Sequence, residues 1–152
     1  MLIQSHAKAA LLPDKIGSLF SIASLQTDLE VSFQTVKRWV EYLFENLVAS
    51  HLLKTCHYWT DSGEGDFELF YLRDKEKREI DFLITKDRKP WLPVEAKLSD
   101  HEPSPHWRKF LREIPCHKAL QIIREPGHWR IHPAETKQIL VASANEALSY
   151  FI

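Results

Sequence analysis

Glu79-Ile80-Asp81-Phe82-Leu83-Ile84, a polar turn, and then Trp91-Leu92-Pro93-Val94-Glu95-Ala96-Lys97-Leu98 is the stretch that decides how this chain folds. Ile80, Phe82 and Ile84 alternate with Asp81 and Leu83. Leu92, Val94, Ala96 and Leu98 alternate in the same way with Pro93, Glu95 and Lys97, so both segments carry the period of a β-strand. Lys86-Asp87-Arg88-Lys89-Pro90 between them is a polar turn of hairpin length. With the turn centred near Arg88, Asp81 faces Glu95 and Phe82 faces Val94. One face of the hairpin is then apolar, and the other gathers Asp81, Glu95 and Lys97.

Two carboxylates directly opposite each other repel, so this pairing calls for a cation between them. Lys97 can fill that role, and so can a divalent metal. Two hard oxygen ligands suit Mg²⁺ (or Mn²⁺), which keeps most of its waters and takes up a substrate phosphate, while a nearby lysine can orient or help deprotonate the attacking water. The same residues also fit a plain cross-strand ion pair on an exposed strand face, worth about 0.5 kcal/mol.

The rest of the composition narrows the class. At 152 residues the chain can bury one sizeable core or a small module plus a compact domain. A net charge of −1 leaves no overall basic excess, so a nucleic-acid partner has to be met by a local patch. No apolar run approaches the roughly 18 residues that span a bilayer, which argues against a membrane partner. Met1 to Leu12 has no small-residue cleavage site after its short apolar run, and two cysteines make no disulfide framework, so a reducing cytoplasm is the expected home.

Residues 13–54 read as helical. Ile16, Leu19, Phe20, Ala23 and Leu25 recur at helical spacing, and after Glu30-Val31-Ser32 a second run follows with Val36, Trp39, Val40, Leu43, Leu47 and Val48 as its apolar stripe. Two helices joined this way fit a helix-turn-helix, in which Ser32, Gln34, Thr35, Lys37 and Arg38 face a DNA groove or its phosphates; on pattern alone an ordinary helical hairpin with a solvated face is the favoured reading. The second run continues through Glu45 to Lys54 without Gly or Pro, giving a helix of roughly 20 residues. Glu45 sits among apolar neighbours, where a carboxylate needs a partner. His57-Tyr58-Trp59 then reads as the start of a strand and Phe67 to Arg73 as another. Pro105 opens a short helix, and Ala119 to Ile123 and Trp129 to His132 are strand-like. A Gly-x-x-x-x-Gly-Lys-Ser/Thr phosphate loop is missing from the sequence.

Phe44-Glu45-Asn46-Leu47-Val48-Ala49, Tyr71-Leu72-Arg73-Asp74, Glu79-Ile80-Asp81-Phe82 and Pro93-Val94-Glu95-Ala96-Lys97, in that order, resemble the C-terminal domain of unknown function that follows an AAA-type ATPase module in many bacterial and archaeal proteins. That domain is similar to the PD-(D/E)xK restriction-endonuclease-like fold. Ser32-Phe33-Gln34-Thr35-Val36-Lys37-Arg38-Trp39 resembles the recognition helix of the helix-turn-helix that precedes it. The resemblance implies Asp81 and Glu95 as metal carboxylates, Lys97 as the water-orienting group and Glu45 as an additional acid among the catalytic residues. It implies Thr35, Lys37 and Arg38 as DNA contacts, and Gln121 falls where some members of the wider fold place a polar residue. Two departures accompany it. The ATPase module is not in this sequence, and Trp39-Val40-Glu41-Tyr42-Leu43 runs straight into Phe44-Glu45 where the family carries a wing and connecting segment.

Other residues invite competing readings. Cys56-His57 and Cys116-His117 are two metal-ligand pairs, but their spacing matches no zinc finger or ribbon. Arg108, Lys109, Arg112, Lys118, Arg124 and Arg130, with Trp107 and Trp129, read as a phosphate-binding rim or as a solvated face. The expectation is an α/β protein with a helix-turn-helix-like segment over residues 1–43 and a restriction-endonuclease-like mixed sheet flanked by helices over residues 44–152. It would act as a DNA-binding, nuclease-like accessory domain, a Mg²⁺-dependent endonuclease, with an AAA-type ATPase in trans as a further partner. The competing expectation is a non-catalytic DNA- or protein-binding module of that ATPase family.

Overall fold

The structure is a computed structural model and describes residues 23, 31–73 and 79–151. The chain divides into two compact units, Met1–Tyr42 and Leu43–Ile152. The first helix of the expected helix-turn-helix and the turn after Arg73 lie outside the described residues.

Helix α1 runs from Phe33 to Asp61, 29 residues. Ser32 begins it as the sequence suggests: its Oγ accepts the Thr35 backbone N–H at 3.1 Å, satisfying one of the amides a helix start leaves open. In the first unit Val36 and Val40 are the buried positions of this helix. In the second they are Phe44, Val48, Leu52, Thr55 and Cys56, a stripe at three- and four-residue spacing. The helix does not stop at Lys54, and His57-Tyr58-Trp59 belongs to it rather than to a strand. Tertiary packing overrides the β preference of those residues. The Trp59 ring lies 5.0 Å from Phe67, 5.6 Å from Trp91 and 5.9 Å from Phe151, and the Thr55 hydroxyl donates to the Phe151 carbonyl at 2.7 Å. Termination waits for Gly63, whose φ of +83° lets Glu64 N–H reach back to the Trp59 carbonyl at 2.9 Å.

The second unit is a mixed α/β fold around a six-stranded sheet. Strands β1 (Phe67–Arg73), β2 (Glu79–Lys86), β3 (Lys89–Lys97), β4 (Lys118–Ile123), β5 (Trp129–Ala134) and β6 (Lys137–Ser143) lie in the order β1-β2-β3-β4-β6-β5. β1, β2 and β3 form an antiparallel meander, β3, β4 and β6 run parallel, and β5 closes the far edge antiparallel to β6. Phe82 pairs with Val94 as the alternation requires. The β2–β3 turn is tighter than the five polar residues suggest. Lys86 pairs with Lys89, leaving only Asp87 and Arg88, both with positive φ (51° and 62°), as in a type I′ hairpin turn.

Passing from β3 to parallel β4 requires a crossover, and helix α2 (Trp107–Glu113) supplies it. Its Trp107, Phe110 and Leu111 pack with Ile80, Ala119, Ile123, Ile139 and Val141. Each large apolar side chain fully buried there stabilises the fold by about 1.5–3 kcal/mol relative to exposure. Trp107 is fully buried, so it cannot belong to a nucleic-acid rim; that expectation came from its basic neighbours, whose side chains point the other way, to the surface. The Lys137 ammonium donates to the Leu111 and Ile114 carbonyls and closes the C-terminal end of α2. The chain ends in a short helix α3 (Ala144–Ala147) and a 3₁₀ turn (Leu148–Tyr150). Among the described residues no helix is long and apolar enough to cross a membrane.

The left-handed backbone at Arg88 costs about 1–2 kcal/mol for a residue with a Cβ, and glycine avoids most of it at an entropic cost of about 0.5–1 kcal/mol. Arg88→Gly should therefore raise the unfolding free energy by about 0.5–1 kcal/mol in urea titrations. A loss of stability would show that the Arg88 side chain contributes more than its backbone costs.

Candidate functional site

β3 lies between β2 and β4, so Glu95 is flanked on both sides, and Pro93, Val94, Glu95 and Ala96 are all buried. The second hairpin face is buried at Pro93 and Glu95 and half-buried at Asp81 and Lys97. Glu95 is 1% exposed. Its Oε1 receives the Lys97 ammonium at 2.9 Å, from the next position on the same strand face. Ser104 lies close enough to Glu95 to help lower its carboxyl pKa. Its Oε2 is buried with no hydrogen-bond partner.

Asp81 approaches from β2, half-buried, and its Oδ2 accepts the Ala96 backbone N–H at 2.7 Å. This bond carries the Asp81 carboxylate across to β3, just beyond the last regular pair at Phe82 and Val94. Glu45, in α1, is half-buried and close enough for its charge to act on Lys97. The structure thus brings Glu45, Asp81, Glu95 and Lys97 into one electrostatic cluster.

Burial pushes the Glu95 carboxyl above its usual pKa. The Lys97 charge and hydrogen bond pull it back only in part, and the Asp81 charge adds to the rise. Burial pulls Lys97 down, but Glu95, by charge and hydrogen bond, together with the Asp81 and Glu45 charges, lifts it above its usual value. Lys97 is therefore firmly cationic, and Glu95 is a carboxylate held in an environment that resents its charge.

Asp81 and Glu95 meet the chemical requirements of a hard cation: two carboxylates, one with a buried oxygen that no protein donor satisfies. Mg²⁺ suits such a pair because it keeps waters and substrate oxygens in its remaining positions. Among the described residues no group of three or more His, Cys, Asp or Glu side chains could hold a metal ion unaided. The two Cys-His pairs make no zinc site. Burial pushes the Cys56 thiol up to about 11 and raises Cys116 as well, and both remain protonated thiols.

The sequence-predicted DNA contacts lie in the first unit. Thr35, half-buried, shares a 2.8 Å hydrogen bond with the Ser32 hydroxyl. Lys37 is 3.8 Å from Glu41, and Lys37 and Arg38 are exposed on α1. Three basic residues of the second unit are engaged by acidic partners. Arg112 is paired with Glu135 at 2.6 Å, Lys109 with Glu113 at 3.9 Å and Arg130 with Glu102 at 3.9 Å. Two contributors lay beyond sequence reasoning or at its edge. Ser104 sits in a connecting loop with nothing to mark it, whereas Gln121 interrupts the otherwise apolar Ala119 to Ile123.

A carboxyl whose native pKa lies above its ordinary value binds its proton more tightly in the folded chain. Its contribution to stability is complete below the unfolded pKa and is lost as pH rises through the native one. Glu95→Gln cannot lose that contribution. Without divalent ions, the unfolding free energy of Glu95→Gln relative to wild type should climb from acid towards neutral pH in urea titrations. A difference that fell over this range would mean that pairing with Lys97 outweighs burial.

No curated protein and no solved structure matches this chain. Residues 41–141 match a family described as Domain of unknown function (DUF4143). The match spans more than half of the chain and includes Glu45, Asp81, Glu95 and Lys97, and the chain therefore belongs to the DUF4143 family.

Proposed function

We propose that the second unit is a restriction-endonuclease-like domain that hydrolyses DNA phosphodiesters with Mg²⁺ or Mn²⁺, as an accessory to an AAA-type ATPase in trans in the cytoplasm. The observation that carries this reading is the gathering of Asp81, Glu95 and Lys97 into one electrostatic cluster in which Glu95 keeps one buried carboxylate oxygen without a partner. Asp81 and Glu95 would hold the cation, which when bound supplies Lewis-acid polarisation of the phosphate and a more acidic water. Lys97, kept cationic by its three acidic neighbours, would orient that water and offset charge developing on the phosphate. Glu45 keeps Lys97 protonated and in place. The exposed Lys37 and Arg38, with Thr35 at the helix start, would engage DNA phosphates as part of a helix-turn-helix.

One observation favours a second reading. Lys97 already neutralises Glu95 at 2.9 Å, as a purely structural ion pair would. A non-catalytic DNA- or protein-binding module of the same ATPase family needs nothing more.

The two separate in a nicking assay on plasmid and single-stranded DNA. With Mn²⁺ or Mg²⁺, Asp81→Ala and Lys97→Ala should each cut at least about 100-fold more slowly than wild type. Equal cleavage by all three proteins would assign the activity to a contaminant and leave the binding module. In DNA-binding titrations, Lys37→Ala/Arg38→Ala should weaken affinity and flatten its fall with salt by about two phosphate contacts. An unchanged salt slope would remove this helix as a DNA contact.

A further inference from the structure

Residues 98–106, which join Lys97 to α2, contain neither helix nor strand. This segment is tied to the sheet by one fully buried side chain. Gln121 lies at the centre of β4, beside Glu95 in the parallel register. Its Oε1 accepts the Ser104 backbone N–H at 2.9 Å and the Trp107 indole N–H at 3.2 Å. Its Nε2 donates to the Asp100 carbonyl at 2.7 Å and the Glu102 carbonyl at 3.0 Å.

Those four bonds fill the capacity of a primary amide, and the partners' polarity leaves only one orientation of the group possible. Gln121 therefore has nothing left with which to bind a ligand. The segment's other ties are weaker. His101 meets Glu125 at 2.8 Å with both side chains about half exposed, and Glu102 meets Arg130 and His132 from a side chain 76% exposed. The segment held by Gln121 carries Ser104, which lies close enough to Glu95 to help lower its carboxyl pKa.

We propose that Gln121 is a positioning residue of the Asp81–Glu95–Lys97 site: it holds residues 99–106 in the conformation that sets Ser104 against Glu95, and it touches no ligand itself. An outer partner of this kind aims a carboxylate that would otherwise rotate within its pocket. The hold on the segment stands on the hydrogen bonds alone, whereas the consequence for a cation rests on the function proposed above.

The test uses the full chain, with Gln121→Met as a volume-conserving change, Ser104→Ala, and the double variant. Amide hydrogen exchange reads the segment, and calorimetric titration with Mn²⁺ alone reads the site. Gln121→Met should speed exchange of residues 99–106 by about tenfold or more while β4 and β6 amides stay within about twofold of wild type. Gln121→Met and Ser104→Ala should each weaken Mn²⁺ binding about tenfold, and the double variant should be no weaker than Gln121→Met. Unchanged exchange at 99–106, or wild-type Mn²⁺ affinity in Gln121→Met, overturns the proposal. Additive losses in the double variant overturn the route through Ser104. If Gln121→Met does not fold, Ser104→Ala still decides, because unchanged Mn²⁺ affinity in it overturns the proposal. If wild type binds no Mn²⁺, the cation reading falls, and faster exchange at 99–106 upholds the hold on the segment by itself.

Discussion

A carboxylate buried in the middle of a sheet is the constraint around which this domain is arranged. Glu95, with 1% of its surface exposed, would cost several kcal/mol if left ionised and unpartnered. The chain responds locally and at long range. Lys97 follows two residues later on the same face of β3, and Ser104 comes from the segment beyond. Asp81 is drawn across from β2 by the Ala96 amide. Only a central strand imposes this situation. On an edge, Glu95 and Lys97 would be solvated, and nothing would force the neighbouring groups to converge.

The hairpin could be read from sequence because a period of two and a short turn leave one register free of conflict, and Phe82 does face Val94. What periodicity could not convey was that Glu95, on the polar face, is buried as deeply as Val94 on the other. Alternation of Glu95 and Lys97 with Val94 and Ala96 is the pattern of a half-exposed strand. Burial of the polar face depends on α2 and on residues 98–106, which are positioned by contacts distant in sequence. The same limit explains Trp107, whose surface placement was inferred from basic neighbours on α2 and whose burial is decided by Ile80, Ile123 and Val141. It also explains the end of α1. His57-Tyr58-Trp59 has a local preference for strand, but an aromatic cluster with Phe67, Trp91 and Phe151 keeps it helical.

Within the site, the acidic and basic residues could be found from sequence, but the neutral ones could not. Asp81, Glu95 and Lys97 are recognisable because their charges conflict unless they are brought together. Ser104 carries no such signal between Pro103 and Pro105. Gln121 carries a faint one, as the single polar residue in Ala119-Leu120-Gln121-Ile122-Ile123, a strand otherwise too apolar to face water. A buried amide in such a strand must be satisfied, and its partners could only come from outside the strand's own ladder.

The Lys97–Glu95 ion pair would compete with the proposed role of Glu95 as a cation ligand only if the two oxygens of the carboxylate were equivalent, and they are not. Oε1 is taken by Lys97, whereas Oε2 is buried and unpartnered. A structural ion pair built only for stability would gain by satisfying both oxygens, since an unpaired buried acceptor costs about 1–3 kcal/mol. On the function proposed above, one oxygen left unsatisfied while Gln121 fixes the surroundings would be the arrangement of a preorganised site, its destabilisation borne by the folded chain in advance and relieved when charge arrives. The raised pKa of Glu95 has the same origin: burial makes its charge costly, and on the proposed reading it would also strengthen the hold on a compensating cation.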